Sequence, residues 1–176
     1  MTRPHAFLSM LVAVLAVSSG CASYQVGQAT LFRPDIHTVH VPVFESDSLR
    51  RNLGERLTEA IIKEIESRSP YKVVGSPDAD SILSGRIVTE VKRTVAENRN
   101  DDVRDIEADM TVEVRWSSRR GEMLMQRSSI PLGPLNVAVA GSEQFFPEAG
   151  QSLETAQQRV IEQLARHIVG QMEIWW

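Results

Sequence analysis

The chain has 176 residues, with 19 Lys and Arg against 23 Asp and Glu, for a formal net charge of −4. That balance excludes general nucleic-acid binding, which needs a basic footprint, and nonspecific attraction to anionic lipid, so any anion binding must be local. The single cysteine, Cys21, excludes an internal disulfide framework.

The N-terminus reads as a targeting segment and is set aside before the fold is considered. Arg3, with His5, gives a basic start. Ala6 to Val17 is apolar apart from Ser9, and Ser18-Ser19-Gly20 supplies small residues before Cys21. An apolar run of 12 residues is too short to span a membrane, which takes about 20. The segment resembles the lipobox of bacterial lipoproteins, although Ser18 stands where a Leu is usual and Val17 lies one place further back. Cleavage before Cys21 and acylation there would anchor the chain, since each buried methylene contributes about 0.8 kcal/mol and several chains hold stably. Ala22 is not Asp, so the inner-membrane retention signal of some lipoproteins is absent. The alternative is an ordinary signal peptide followed by a coincidental cysteine. On the lipoprotein reading, residues 1–20 are the signal, 21–35 a polar tether, and 36–176 one α+β domain long enough for a real core.

The first element is Thr38-Val39-His40-Val41-Pro42-Val43-Phe44, in which the valines alternate onto one strand face. Pro42 cannot donate to a ladder, so this strand is expected at an edge or with a bulge. Ser46, Asp47 and Ser48 are N-cap candidates for a helix in which Leu49, Leu53, Leu57, Ile61 and Ile65 recur every fourth residue, until Pro70 stops it. Gly54 inside it costs about 1 kcal/mol relative to Ala, and close packing against a neighbour would explain it.

Tyr71-Lys72-Val73-Val74 reads as a short strand. A long pattern then places Leu83, Gly85, Ile87, Val91 and Val95 on one side, with a turn at Asn98 to Asp102. The clearest alternation follows: Ile106, Ala108, Met110, Val112, Val114 and Trp116 face one way and Glu107, Asp109, Thr111, Glu113 and Arg115 the other. Odd-numbered apolar residues thus pair with even-numbered ones across the hairpin, which sets Lys92 opposite or diagonal to Asp109. Ser118-Arg119-Arg120-Gly121 turns the chain, and Met123 to Arg127 can return as a strand. Ile130 to Gln151 is a long loop in which Val137-Ala138-Val139 could be a short element and Phe145-Phe146 fold back as packing. Ser152 caps a second helix with Ala156, Val160, Leu164 and Ile168 spaced by four, before the terminal Trp175-Trp176. The order β-α-β-β-β-α predicts a two-layer sandwich, with two helices on one face of a mainly antiparallel sheet.

Nothing in this pattern assembles a catalytic set. His37 and His40 fall on opposite strand faces, His167 lacks a partner at metal-ligand spacing, and no Gly-rich phosphate loop or nucleophile elbow occurs. The reading is a non-enzyme without cofactor or metal. The basic residues of the hairpin allow two readings: they pair with Glu107, Asp109 and Glu113 as a solvated face, or some bind phosphate or carboxylate groups of an acidic glycolipid. Arg86, Lys92, Arg93, Arg119 and Arg120 are the candidates for the second. Trp175-Trp176 can likewise cap the core or contact a partner.

With these pieces placed, the chain resembles the lipopolysaccharide-assembly lipoprotein family LptE, in its planctomycete-type form. The residues that carry the resemblance are Gly20-Cys21, Tyr24-Gln25-Val26-Gly27 and Pro34-Asp35-Ile36, then Val39-His40-Val41-Pro42-Val43-Phe44, Arg51-Asn52-Leu53-Gly54-Glu55-Arg56-Leu57-Thr58-Glu59-Ala60 and Ala79-Asp80-Ser81-Ile82-Leu83-Ser84-Gly85. Pro147-Glu148-Ala149-Gly150 leading into Ser152-Leu153 adds to it. The same outline is similar to the N-terminal domains of TolB-like and curli-secretion-type periplasmic proteins. The LptE resemblance implies a partner rather than a reaction: an outer-membrane β-barrel of the lipopolysaccharide-export type, which the lipoprotein supports or plugs from its lumen, with contact to lipopolysaccharide. The alternative is a free-standing periplasmic binding or scaffold lipoprotein.

Overall fold

The computed structural model describes residues 31–48, 50–97, 103–125 and 136–174. Cys21 and the signal segment, Leu49, the turn at Asn98 to Asp102, Arg127 and Trp175-Trp176 lie outside them. In chain order the elements are β1 (Thr38–His40), β2 (Glu45–Ser46), α1 (Leu53–Arg68), β3 (Lys72–Val74), β4 (Ser81–Glu97), β5 (Val103–Ser118), β6 (Val137–Phe145), a 3-10 turn (Pro147–Ala149) and α2 (Leu153–Gly170).

The strands form one sheet in the order β3-β1-β4-β5-β6, with β2 also against β4. The β4-β5 and β5-β6 pairs are antiparallel, while β1 runs parallel to β3 and β4, and β2 parallel to β4. The sheet is therefore mixed, mostly antiparallel by length, and open. Both helices cover one face of it, as an α+β sandwich requires.

Pro42 divides what the sequence presents as one strand. Residues 41–44 leave the ladder between β1 and β2, and although Val39 and Val41 are buried, Val43 is 61% exposed. Phe44 then turns inward and lies over Gly85, where a Cβ would strike its ring and the Glu113 carbonyl. Gly54 meets the same residue from above, because a Cβ there would collide with the Phe44 carbonyl oxygen. The Phe44 N–H donates to Thr58 Oγ1 at 2.9 Å, and Thr58 Oγ1 donates to the Gly54 carbonyl at 2.7 Å. Close packing, not helix propensity, accounts for Gly54.

Helix α1 starts later than the leucine spacing suggests. Its N-cap is Asn52 at φ 64° with no side-chain cap bond, so Ser46, Asp47 and Ser48 do not cap it. Instead, the Ser48 hydroxyl accepts from the Arg50 N–H at 3.1 Å and donates to Glu90 at 2.9 Å. At α2 the expected cap is present: Ser152 Oγ accepts from the Thr155 N–H at 3.2 Å.

Leu57, Ile61 and Ile65 of α1 and Val160, Ile161, Leu164 and Ile168 of α2 interlock with Leu83, Ile87, Met110, Val112, Val114 and Trp116 of the sheet. Side chains of this kind contribute about 1.5–3 kcal/mol each when fully buried. Phe32 already belongs to this core, edge-on to Tyr71 at 5.5 Å between ring centroids. The Tyr71 hydroxyl accepts from the Arg33 N–H at 2.8 Å, and burial pushes the phenol's pKa up to about 12.

Two expectations about the C-terminal half change. Met123 makes only an isolated bridge to Ser117, and the last strand of the sheet is β6, nine residues long, where the sequence suggested a short element at Val137-Ala138-Val139. Phe145 ends that strand buried, while Phe146 is exposed rather than packed.

Candidate functional site

Among the described residues, one face of the sheet carries no helix, and the alternation of β5 decides what it shows. Glu107, Asp109, Thr111, Glu113 and Arg115 are half-buried on this face, between β4 on one side and β6 on the other. Ala138, Ala140, Ser142 and Gln144 of β6 lie opposite Glu113, Thr111, Asp109 and Glu107. The face is polar along β5, with small residues such as Ala138, Ala140 and Ser142 along β6.

The β4 side of this face departs from the expected pattern because of a bulge. From Ser81↔Ser118 to Ile87↔Val112, odd residues pair with even ones as the alternation requires, and Leu83 and Ile87 are buried. The register then shifts by one between Ile87 and Thr89, which leaves Val88 without a partner in the ladder. Beyond it, Val91 pairs with Asp109 and Lys92 with Ala108. Val91 and Val95 are therefore exposed, not part of the buried stripe, and Lys92 is on the other face from Asp109. It is Arg93 that reaches the acidic pair, at 2.8 Å to Glu107 and 3.3 Å to Asp109.

The same shift turns Glu90 to the helix side, opposite Met110. Its Oε1 accepts from Gln157 at 2.6 Å and meets Arg50 at 2.9 Å. Gln157 is buried, so this polar cluster ties the N-terminal half of α2 and the segment before α1 to the hairpin. Neither Glu90 nor Gln157 stood out in the sequence, because only the bulge brings them together.

The five basic candidates do not converge. Arg86 lies 3.5 Å from Asp47, Arg93 on Glu107 and Asp109, and Arg119 2.9 Å from Asp78. Lys92 and Arg120 are exposed, and among the described residues neither forms an ion pair. Arg93 lies opposite Glu107, eleven residues along β5 from Ser118 at the Arg119 turn. At about 3.3 Å per residue that separates the ends of the set by roughly 35 Å. Most of these cations thus belong to a paired, solvated face. Arg115 is different, since its Nε is buried without a partner among the described residues. It lines a hollow of ≈ 440 Å³ on the open face with Ser84, Arg86, Glu113 and Asn136.

Asp80 has a structural task. Its Oδ2 accepts from the backbone N–H groups of His37 and Thr38 at 3.0 and 2.9 Å, which locks the start of β1 to the start of β4. These bonds hold its carboxyl below the usual carboxylate range. Among the described residues no group of His, Cys, Asp and Glu is placed to hold a metal ion, and no helix is long and apolar enough to cross a membrane.

Comparison with known proteins places this architecture. The hypothetical protein CT253 of Chlamydia trachomatis superposes with a TM-score of 0.52 at 13% identity, covering 76% of this chain and 94% of that one. A PelC variant from Paraburkholderia phytofirmans, solved as a dodecamer, gives 0.50 at 11% identity, with 83% and 95% covered. Lipoprotein B of Nitrosomonas europaea gives 0.48 at 15%, with 82% and 89% covered. At these identities the likeness concerns the fold alone. No curated protein sequence matches the chain. The family model for LptE, lipopolysaccharide-assembly, matches residues 36–172, which is most of the chain and all of the sandwich from β1 to the end of α2. The chain belongs to the LptE lipopolysaccharide-assembly family.

Proposed function

We propose that this protein is a lipoprotein, anchored through Cys21 at the periplasmic face of the outer membrane, that assists lipopolysaccharide assembly without catalysing a reaction. It acts by occupying and supporting an outer-membrane β-barrel of the export type. The observation that carries this reading is the open sheet face. Two helices seal one side of the sheet, while the other presents Glu107, Asp109, Thr111, Glu113 and Arg115 half-buried and uncovered among the described residues. Barrel interiors are polar, so such a face suits a wet contact inside a lumen and is ill suited to lipid. Of the five basic candidates, Lys92 and Arg120 form no ion pair among the described residues, and direct contact with lipopolysaccharide would fall to them, with Arg115 in its hollow.

Depletion of the protein, followed by quantification of large outer-membrane barrel proteins and surface lipopolysaccharide, tests the role. Both should fall, and crosslinking should join the lipoprotein to a barrel. Unchanged barrel levels, unchanged surface glycolipid and no crosslinked barrel would together leave a free-standing periplasmic scaffold as the better account. Anchoring is tested separately by mass spectrometry of the native N-terminus. Cys21 should carry acyl groups, and Cys21→Ala should leave the membrane fraction or remain unprocessed.

A further inference from the structure

Among the described residues, the outer edge of β4 is covered only at its beginning. β1 pairs with Ser81 and Ile82 and β2 with Arg86 and Ile87, while among the described residues nothing pairs with β4 beyond that on this side. Residues 91–96 are all exposed, and Val91 and Val95 stand on the strand at 45% and 47% exposure. A row of free backbone donors and acceptors on an exposed strand is a template for one more strand.

Which backbone groups point outward follows from the ladder. The Asp47 N–H donates to the Ile87 carbonyl at 3.2 Å, so Ile87 turns its polar groups to the β2 side. Ile87 and Val112 are then a pair without mutual hydrogen bonds, and the shifted pair Thr89–Thr111 is the bonded one. By alternation, Glu90, Lys92 and Thr94 direct their N–H and C=O to the free edge. The side chains set a second condition. Lys92 is an exposed cation with no ion pair among the described residues, between the two exposed valines. A segment that supplies apolar side chains together with an acidic one would match this edge.

We propose that the edge of β4 from Val91 to Thr94, up to the register shift that follows Thr94, takes up an extended, acidic-apolar segment of the barrel partner as an added strand. The inference rests on the barrel-support reading above. It also restricts where the segment can come from: strands of a closed barrel have both edges bonded, so the donor must be a loop or extension outside the wall.

The test uses the full-length lipoprotein in its own membranes, purified with its crosslinked barrel identified by mass spectrometry. Thr94→Pro removes an outward N–H while leaving the bonds to β5, a change that edge strands tolerate. Lys92→Glu reverses the charge and leaves the backbone unchanged. Each should lower the barrel recovered per lipoprotein at least fivefold, with Thr94→Val behaving as wild type. Equal recovery for wild type, Thr94→Pro and Lys92→Glu overturns the added strand while the barrel reading stands. Failure of wild type to recover any barrel overturns the barrel reading instead, and this inference with it. Crosslinking of the edge to a second copy of this chain would also overturn it, in favour of self-pairing. Should Thr94→Pro unfold the domain, as a lost melting transition would show, Lys92→Glu decides.

Discussion

Replacing Gly54 by Ala tests whether α1 is placed by its own propensity or by its seat on Phe44. In an exposed helix interior the change would stabilise by about 1 kcal/mol. Here the new methyl group meets the Phe44 carbonyl oxygen, which no rotamer change can move. That backbone is held by the Phe44 N–H bond to Thr58 at 2.9 Å and by the Thr58 bond to Gly54 at 2.7 Å. The overpacking cost therefore belongs at the upper end of the usual range, about 3 kcal/mol. Offset by propensity, the net loss is about 2 kcal/mol. For a domain of this size each kcal/mol moves the midpoint by about 2–4 °C, so thermal denaturation should show a fall of roughly 4–8 °C. Gly75→Ala is the control: nothing lies within 4 Å of its Cβ position, and the substitution should be neutral or stabilise by up to about 1 kcal/mol. A Gly54→Ala protein that melts at or above the wild-type temperature would falsify the argument.

Glu90→Ala should cost about 1–3 kcal/mol, since it leaves the buried Gln157 amide without its acceptor and Arg50 without its partner. An unchanged urea midpoint would mean that the amide finds water or another acceptor. Asp80→Ala probes the depressed carboxylate that binds His37 and Thr38. A carboxyl held below its unfolded value of about 3.9 stabilises the fold above that pH and loses its contribution as pH falls through the lowered value. The stability gap between wild type and Asp80→Ala should thus be full at pH 7 and shrink below pH 4. A gap of equal size at pH 7 and pH 2.5 would show that the bonds do not depend on charge.

Much of the fold was legible because it follows period alone. The four-residue recurrence of Leu57, Ile61 and Ile65 and of Val160, Leu164 and Ile168 marks two helices, and each of these residues is buried. The alternation from Ile106 to Trp116 is likewise realised residue by residue. Elements that depend on pairing were harder to read. β6 is rich in Ala, Gly and Ser, and Gly141 suits it by letting Leu164 and Val160 approach, so its sequence carries little strand signal. β2 is two residues long and exists only because β4 lies beside it.

The candidate site was misread for a single physical reason. Strand parity predicts faces only while the register is unbroken, and one extra residue at Val88 reverses the side chains from Thr89 up to the next register shift after Thr94. Without the bulge, Val91 and Val95 would continue the apolar stripe of Leu83 and Ile87, and Arg93 would lie on the helix side. With it, Glu90 enters the helix layer, where Ser48, Arg50 and Gln157 satisfy it, and the valines come to the surface of the hairpin. Apolar β-branched residues placed on an exposed strand cost solubility unless a partner covers them. On the added-strand proposal, Val91 and Val95 are the apolar surface that the incoming segment would cover.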